Sequence, residues 1–287
     1  MMETLIITAL NGLSLGTLLF LISMGLTTIF GVMGVLNFAH GSLYMLGAYM
    51  CLQAMRLFHN FWLGLLVAPL AVGLLGMAIE VQFLRKIYDR HLTLQLLLTF
   101  AFLLILDDAV RILWGAGYHT VDPPRLLAGT LRVLGRPYPV YSLFILVLGP
   151  AVGLALWAFF YRTKVGMIVR AAAMDREMAS SLGVDVPKLF TYVFFFGSWL
   201  AGLGGALAAP LRAIGPAMGE KIIIESFIVV VIGGLGSFPG AFIGAMIFGL
   251  FDAFGIHFVP RIHMAIPFIL LAAVLLWRPR GLFGEET

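Results

Sequence analysis

Apolar stretches long enough to cross a lipid bilayer follow one another along almost the whole of this 287-residue chain, and only short polar breaks separate them. One helical crossing of a bilayer core needs roughly 20 predominantly apolar residues. Charged residues make up 11% of the chain, whereas an ordinary soluble domain carries about 25%. This pattern excludes a water-soluble globule and predicts one all-α transmembrane domain over residues 1–287, a polytopic helical bundle of about eight to ten spans.

Glycine, proline and charged residues mark the boundaries of the predicted spans. Five crossings are expected before a central charged loop and four after it. The nine predicted spans are 5–30, 32–56, 62–84, 94–114, 141–161, 190–209, 222–236, 239–256 and 262–277.

Three clusters of basic residues fall on one side of the membrane if nine spans alternate in direction. Short cytoplasmic loops retain Lys and Arg, so this side is predicted to be the cytoplasm, with the N-terminus outside and the C-terminus inside. The loop at 115–140 opposes this bias with three arginines, and its prolines predict an irregular segment. The clusters are Arg85, Lys86 and Arg90; Arg162, Lys164, Arg170, Arg176 and Lys188; Arg278 and Arg280.

The stretch Tyr161–Lys188 is far more polar than the apolar runs on either side of it, and it is too charged to enter lipid. Its part Arg170–Leu182 is rich in good helix formers, and Gly183 follows where a C-cap glycine belongs. A short helix on the membrane surface is therefore predicted, within a loop of about residues 162–188. Two interpretations stay open, an ordinary surface loop or a docking element for a cytosolic protein.

Two glycine-rich interruptions, Gly31–Gly41 and Gly233–Ala245, are candidates for a transport route. Non-helical backbone at membrane depth is tolerated only where it lines a cavity or is buried in protein, and broken spans in corresponding positions of two halves are typical of transporters. The other interpretation is that the glycines let helices pack closely. Small residues at the spacing typical of close packing occur in the pairs Gly12/Gly16, Gly149/Gly153 and Gly240/Gly244.

Ionisable groups inside the predicted spans are few, and each has a structural and a functional interpretation. Asp107 and Asp108 lie in the fourth span, and Arg111 follows Asp107 at the spacing of a local ion pair. A proton relay is the alternative role for these acids. His40, within the first interruption, could hydrogen-bond locally or titrate in a pore.

Sequence motifs for catalysis or nucleotide binding are absent from the chain. There is no HExxH zinc motif, no GxSxG nucleophile elbow and no GxxxxGK[ST] phosphate loop. No metal site, cofactor or catalytic residue is predicted, so the chain is not expected to be an enzyme, and any ATP that drives it must be hydrolysed by another subunit. The net charge of +4 is spread over separate loops, so no nucleic acid partner is expected.

Three segments, in this order, resemble the inner-membrane permeases of bacterial ABC importers for branched-chain amino acids. The first is Gly25–Tyr49, in which Asn37 and His40 match the family's Asn-Phe-Ala-His-Gly run. The second, Arg170–Val184, is similar to the loop by which these permeases contact their ATPases. The third, Gly233–Ala245, is similar to a second-half signature, and the resemblance covers essentially the whole chain.

The resemblance and the two interruptions together give two groups of candidate site residues. The ATPase-coupling group consists of Arg170, Ala171, Asp175, Ala179, Leu182 and Gly183. The translocation-path group consists of Asn37, His40, Gly41, Gly233, Gly234, Gly236, Pro239 and Gly240.

The resemblance also implies partners, since the short chain is similar to the smaller of two paired permeases. A second, homologous permease would complete a heterodimer, two cytosolic ABC ATPases would bind ATP and Mg, and a periplasmic substrate-binding protein would deliver the solute. The expected site of action is the bacterial inner membrane, in contact with its lipid. The expected solutes are leucine, isoleucine and valine.

Alternatives remain at two levels. Permeases for urea, short-chain amides and sugars belong to the same superfamily, so the solute could differ. A secondary transporter driven by protons or sodium would use Asp107, Asp108 or His40 as a relay, and an intramembrane enzyme would need a converging nucleophile and base.

Overall fold

The computed structural model describes residues 2–88 and 90–284, and these residues are mostly α-helical. A helical bundle is the expected outcome because lipid offers no hydrogen bonds to the backbone, so each apolar run must satisfy its own N–H and C=O groups. The helices of the described residues are α1 (Met2–Met33), α2 (His40–Phe58), α3 (Phe61–Gln82), α4 (Leu92–Trp114), α5 (Val140–Arg162), α6 (Lys164–Met174), α7 (Arg176–Ser181), α8 (Val186–Ala208), α9 (Met218–Gly233), α10 (Phe238–Phe258) and α11 (Ile266–Trp277).

The predicted polytopic all-α class is confirmed, and each of the nine predicted spans overlaps one helix among α1–α5 and α8–α11. Within the described ranges, five segments are long and apolar enough to cross a membrane by length and composition, while the one at His263–Trp277 is apolar but shorter. The five segments are Met2–Met33, Phe61–Ile87, Val140–Arg162, Val186–Ala208 and Phe238–Phe258.

Helix α1 runs the length of the bundle and defines its two ends. Near its start, Glu3 Oε2 lies 3.5 Å from Arg136 Nε, in the segment between α4 and α5. At its other end the carbonyl oxygen of Met33 accepts a hydrogen bond of 2.5 Å from Arg176 Nη2, in α7. We call these the hairpin end and the α7 end. All three basic clusters lie in segments at the α7 end.

The segment at the hairpin end is more regular than its prolines predict. Strands β1 (Thr130–Val133) and β2 (Arg136–Pro139) pair antiparallel. Leu134 and Gly135 connect them with φ values of 50° and 82°, the left-handed backbone that two-residue hairpin turns require. The expectation of an irregular loop was therefore wrong for this part of 115–140, where backbone pairing fixes the chain despite the prolines.

Small residues let the central helices approach backbone to backbone. A Cβ added at Gly12 would lie 2.7 Å from the carbonyl oxygen of Gly249, so α1 and α10 contact closely and run antiparallel. A Cβ at Gly47 would collide with the backbone of Gly202, which brings α2 equally close to α8. Close packing, one of the two interpretations of the glycines, therefore describes these positions.

Candidate functional site

Helix α2 begins inside the bundle rather than at its surface. His40, its first residue, is fully buried, and its Nε2 lies 3.0 Å from the carbonyl oxygen of Ile22. Ile22 precedes the end of α1 at Met33 by eleven residues, which is about 16 Å along a helix. A bilayer core is about 30 Å thick. The start of α2 is therefore near the middle of the membrane.

The non-helical link 34–39 joins the α7 end of α1 to this interior point. Gly34 follows the end of α1 with φ +67°. The link then packs along α4 as it enters the bundle. Thr99 Oγ1 donates to the carbonyl of Leu36 over 3.2 Å, and Ser42 Oγ donates to the carbonyl of Leu103 over 3.3 Å. The predicted second span began at 32, but the helix begins at His40, because the apolar residues of the link are buried or half-buried without being helical.

Asn37 and His40 bring unpaired polar groups to this buried position. Among the described residues, neither polar atom of the Asn37 side chain has a hydrogen-bond partner, and the same holds for His40 Nδ1. Both side chains have an exposed fraction of 0%. A buried polar group without a partner costs about 1–3 kcal/mol, so these two side chains are candidates for contact with a molecule that enters the bundle.

Helix α9 meets α2 at the same depth. A Cβ at Gly41 would collide with the carbonyl oxygen of Gly219 and lie 2.8 Å from Ile223 Cβ. The backbone N–H of Ala217, just before α9, donates to Asp107 Oδ1 over 2.6 Å. The two helices are thus held together at the points where both begin.

Of the two acids of the fourth span, Asp107 ties α4 to the start of α9. Asp107 Oδ2 lies 2.6 Å from Arg111 Nη2, which confirms the ion pair predicted from their spacing. Asp108 is exposed and lies 3.7 Å from the same guanidinium. The carboxylate of Asp107 therefore has two partners, the arginine and the Ala217 N–H.

The second glycine-rich interruption lies at the α7 end, where it contacts Gly31, the first residue of the first interruption. A Cβ at Gly31 would be 3.1 Å from Gly236 Cα. Gly31 follows Ile22 by nine residues, or about 14 Å of helix. The two interruptions therefore meet at Gly31 and Gly236, while residues 37–41 of the first interruption lie deeper in the bundle, at the level of Ile22.

The residues of this second interruption form a tight connection between α9 and α10. Gly233 and Gly240 lie backbone against backbone, with no room for a side chain at either. Gly234 and Gly236 have φ values of 104° and 83°, and Pro239 lies in the first turn of α10. The C-terminal segment covers the turn through hydrogen bonds from the backbone N–H groups of Leu282 and Phe283 to the carbonyls of Ile232 and Gly233.

The predicted surface helix at Arg170–Leu182 is two helices, α6 and α7. Asp175 separates them with extended backbone, and its Oδ1 accepts from the N–H of Met178 over 2.9 Å as the N-cap of α7. The prediction of one helix was wrong because an aspartate stabilises a helix as its N-cap and destabilises one in its interior. The predicted C-cap is confirmed, since Gly183 has φ +88° and its N–H bonds to Ser180.

The coupling-group residues divide into exposed and internal positions. Leu182 is 78% exposed, and Ala171 is exposed as well. Ala179 is only 3% exposed, which places it on the inner face of α7. The Arg170 guanidinium lies 4.6 Å from the ring centre of Tyr161. Ala179 and Arg170 therefore anchor the segment to the bundle.

An exposed apolar row, which the sequence analysis did not identify, lies on the outer side of the same segment. Met174, Met178 and Leu182 are 89%, 59% and 78% exposed. The four-residue spacing of Met178 and Leu182 places both on one side of α7 and its C-terminal turn, while Met174 ends α6 on the other side of the break at Asp175. We refer to these three residues as the Met row.

Arg176 links this segment to the start of the buried link. Besides its bond to the Met33 carbonyl, its guanidinium lies 5.0 Å from the ring centre of Phe190 in α8. A Cβ at Gly34 would be 3.3 Å from Arg176 Nη2. Local sequence patterns could not reveal this contact, because 143 residues separate the two bonded positions.

A buried carboxylate ties α3 to α8 at the same end. Glu80 is 0% exposed, and its Oε1 accepts from Tyr88 Oη over 2.6 Å and lies 3.3 Å from Arg85 Nε. Arg85 also donates to Thr191 Oγ1 in α8. Burial raises the pKa of Tyr88 above its usual range, so the phenol stays protonated and keeps donating to the acid.

Replacing Glu80 with alanine is expected to destabilise the chain by about 2 kcal/mol. Breaking a buried ion pair costs about 3–5 kcal/mol, and the 36% exposure of the Arg85 side chain lowers that value. Cys51, the only cysteine and a buried one, reports unfolding when a thiol-reactive fluorophore labels it during heating. Glu220→Ala, at an exposed acid, is the control, and equal labelling midpoints for the two variants would contradict the structural role of Glu80.

These features define a multi-pass α-helical membrane protein of the transporter type. In such proteins a buried non-helical segment precedes a helix that begins at membrane depth. The family described as "Branched-chain amino acid transport system / permease component" matches residues 8–275, and the chain belongs to this family. The resemblance read from three segments is thereby confirmed. No group of three or more His, Cys, Asp or Glu within the described ranges could hold a metal ion.

Curated relatives match over nearly the whole chain. The high-affinity branched-chain amino acid transport system permease protein BraD of Pseudomonas aeruginosa is 29% identical over 289 residues, which cover 96% of this chain and 94% of that protein. The corresponding protein LivH of Escherichia coli K12 is 30% identical over 291 residues, with the same two shares. The fructose import permease protein FrcC of Rhizobium meliloti is 31% identical over 126 residues, 42% of this chain and 34% of that protein. No solved structure matches this chain.

Proposed function

We propose that this chain is the transmembrane permease subunit of an ABC importer that moves branched-chain amino acids into the cytoplasm. The observation that carries the proposal is the match of residues 8–275 to the permease family, supported by relatives that match over 96% of the chain. The likeness to a fructose permease covers 42% of the chain, so amino acids are favoured over sugars as the solute.

The solute class is tested by competition. Proteoliposomes that contain the full importer take up radiolabelled leucine while an excess of a second, unlabelled solute is present. Isoleucine and valine are expected to lower leucine uptake more than tenfold, and urea and fructose are expected to leave it unchanged. Suppression by urea alone would retain the transporter and reassign its solute to the amides.

The proposed route for the solute passes the start of α2. Asn37 and His40 supply unpaired hydrogen-bonding groups without a fixed charge, and an uncharged route suits a zwitterion with an aliphatic side chain because it creates no deep electrostatic trap. Gly41 keeps α2 and α9 in contact at this level. The glycines of the second interruption and Pro239 would act as a hinge at the α7 end of the same route.

Energy for transport is proposed to come from partner ATPases that bind ATP and Mg, and α6–α7 is their proposed docking element. The Met row offers the apolar surface that a helix needs to lie in a groove, and methionine adapts well to such contacts. Ala171 and Leu182 are exposed, while Asp175 caps the start of α7 and Gly183 follows its end.

Replacing Met178 with glutamate is expected to weaken ATPase binding at least tenfold, because the docking surface would then bury a charge. The measurement is co-purification of the ATPases with the permease in detergent. Glu177→Gln, at the neighbouring exposed residue, is the control. Full ATPase recovery with Met178→Glu would exclude the Met row as the docking surface.

The assembly and its orientation belong to the same proposal. A second, homologous permease would complete a heterodimer, and a periplasmic binding protein would approach at the hairpin end. The basic clusters at the α7 end favour a cytoplasmic location for that end by the positive-inside rule. The N-terminus would then be periplasmic and the C-terminus cytoplasmic, in the bacterial inner membrane.

A further inference from the structure

An apolar cavity of about 230 Å³ opens near the α7 end between α5, α6 and α8. Its walls are aliphatic and aromatic apart from Thr28 of α1, whose hydroxyl donates to the carbonyl of Met24. None of the groups assigned to transport or coupling lines the cavity. The lining residues that matter here are Phe159, Val165, Leu189, Tyr192, Val193 and Phe196.

The cavity reaches the surface that faces lipid. Tyr192 and Val165, at its rim, are 64% and 53% exposed. On α5, Trp157 and Tyr161 are also exposed and stack with their ring centres 6.1 Å apart. Tryptophan and tyrosine are enriched where the hydrocarbon meets the headgroups. The cavity therefore opens into the membrane at the depth of the headgroup boundary.

Cationic side chains flank the opening. Arg162 follows the cavity-lining end of α5, and its guanidinium lies 5.4 Å from the ring centre of Trp157. Lys164, which is exposed, opens α6 next to the lining residue Val165. Lys188 is paired with Asp185 over 2.8 Å. The cavity thus has an apolar interior and a rim with an excess of positive charge.

The position of the cavity favours a lipid chain as its occupant. Its interior is apolar, and its opening lies beside the exposed Val165 and Tyr192. Anionic headgroups are attracted to clustered Lys and Arg at the membrane surface. The apolar interior and the positive charge at the rim therefore match one kind of occupant, an anionic lipid.

We propose that this cavity binds an acyl chain of an anionic phospholipid, whose phosphate group contacts Arg162 and Lys164. The amphipathic helix α6 lies over the bound chain through Val165 and Val169. Burial of the acyl methylenes and the ionic contact both favour binding. This site is independent of the solute that the chain carries.

The test measures retained lipid on the full chain purified from bilayers of phosphatidylglycerol and phosphatidylcholine. After detergent washing, native mass spectrometry is expected to show one phosphatidylglycerol per chain. Val193→Phe fills the cavity and should lower this retention at least fivefold. The double variant Arg162→Gln and Lys164→Gln should remove the preference for phosphatidylglycerol. Arg132→Gln, a cation in β1 at the hairpin end, should change neither value.

Further measurements keep the proposal open to contradiction. Cys51 labelling shows whether each variant is folded, and Val165→Trp, at the exposed rim, replaces Val193→Phe if that variant does not fold. Equal retention by the wild type and the cavity-filling variant would overturn the site. Loss of the lipid when the partner permease assembles with the chain would assign the cavity to a protein contact and would also overturn it.

Discussion

Replacing Arg176 with alanine is expected to lower the number of solute molecules transported per ATP about tenfold while basal ATP hydrolysis continues. Arg176 joins the proposed docking segment to the carbonyl of Met33, and Met33 is the last residue of α1 before the buried link. A hydrogen bond to a charged donor contributes about 1.5–3 kcal/mol, and 1.4 kcal/mol corresponds to a factor of ten in an equilibrium. Without this bond, motion of α7 no longer moves the end of α1.

The measurement compares leucine uptake and ATP hydrolysis in the same proteoliposomes. Arg90→Gln is the control because Arg90 is an exposed arginine at the same end of the bundle. Cys51 labelling separates lost coupling from lost folding. Uptake and hydrolysis that fall by the same factor would contradict the linking role, since they would indicate fewer active complexes instead of uncoupled ones.

Replacing Asn37 with leucine is expected to stabilise the chain and to impair transport at the same time. Asn37 is buried with both polar atoms of its side chain unpaired among the described residues. An apolar side chain of similar size removes that cost, and the free energy of unfolding should rise by about 1 kcal/mol. Uptake of leucine should fall at least tenfold, because the solute loses a hydrogen-bonding group on its proposed route.

Thr99→Val serves as the matched control for this variant. Thr99 donates to the Leu36 carbonyl in the same link, so its replacement should lower stability by about 1 kcal/mol. Stability is measured by Cys51 labelling and transport by initial uptake rates. A stable Asn37→Leu variant with full uptake would remove Asn37 from the translocation path and leave it a purely structural residue.

Local patterns in the sequence predict those features whose cause is local. The apolar runs predict the helices, the spacing of Asp107 and Arg111 predicts their ion pair, and the position of Gly183 predicts the end of α7. In each case the determining residues are within a few positions of one another. The break at Asp175 also has a local cause, the preference of aspartate for the N-cap, but the helix-forming residues around it predict one continuous helix.

Features that depend on depth or on distant contacts could not be predicted in this way. The link at 34–39 is mostly apolar, and such a composition fits a buried helix and a buried extended segment equally well. Its true course depends on α4, through Thr99, and on α1, through the contact of His40 with Ile22. The contact of Arg176 with Met33 spans almost half the chain. Hydrophobic periodicity carries no signal for such pairs.

The most direct test of the central claim is uptake of radiolabelled leucine into proteoliposomes that contain this chain with its partner permease, ATPases and binding protein. Uptake is measured with ATP supplied to the ATPase side and without ATP. We expect accumulation only when ATP, the ATPases and the binding protein are all present. Leucine uptake by this chain alone that follows a proton or sodium gradient would contradict the ABC importer and identify a secondary transporter.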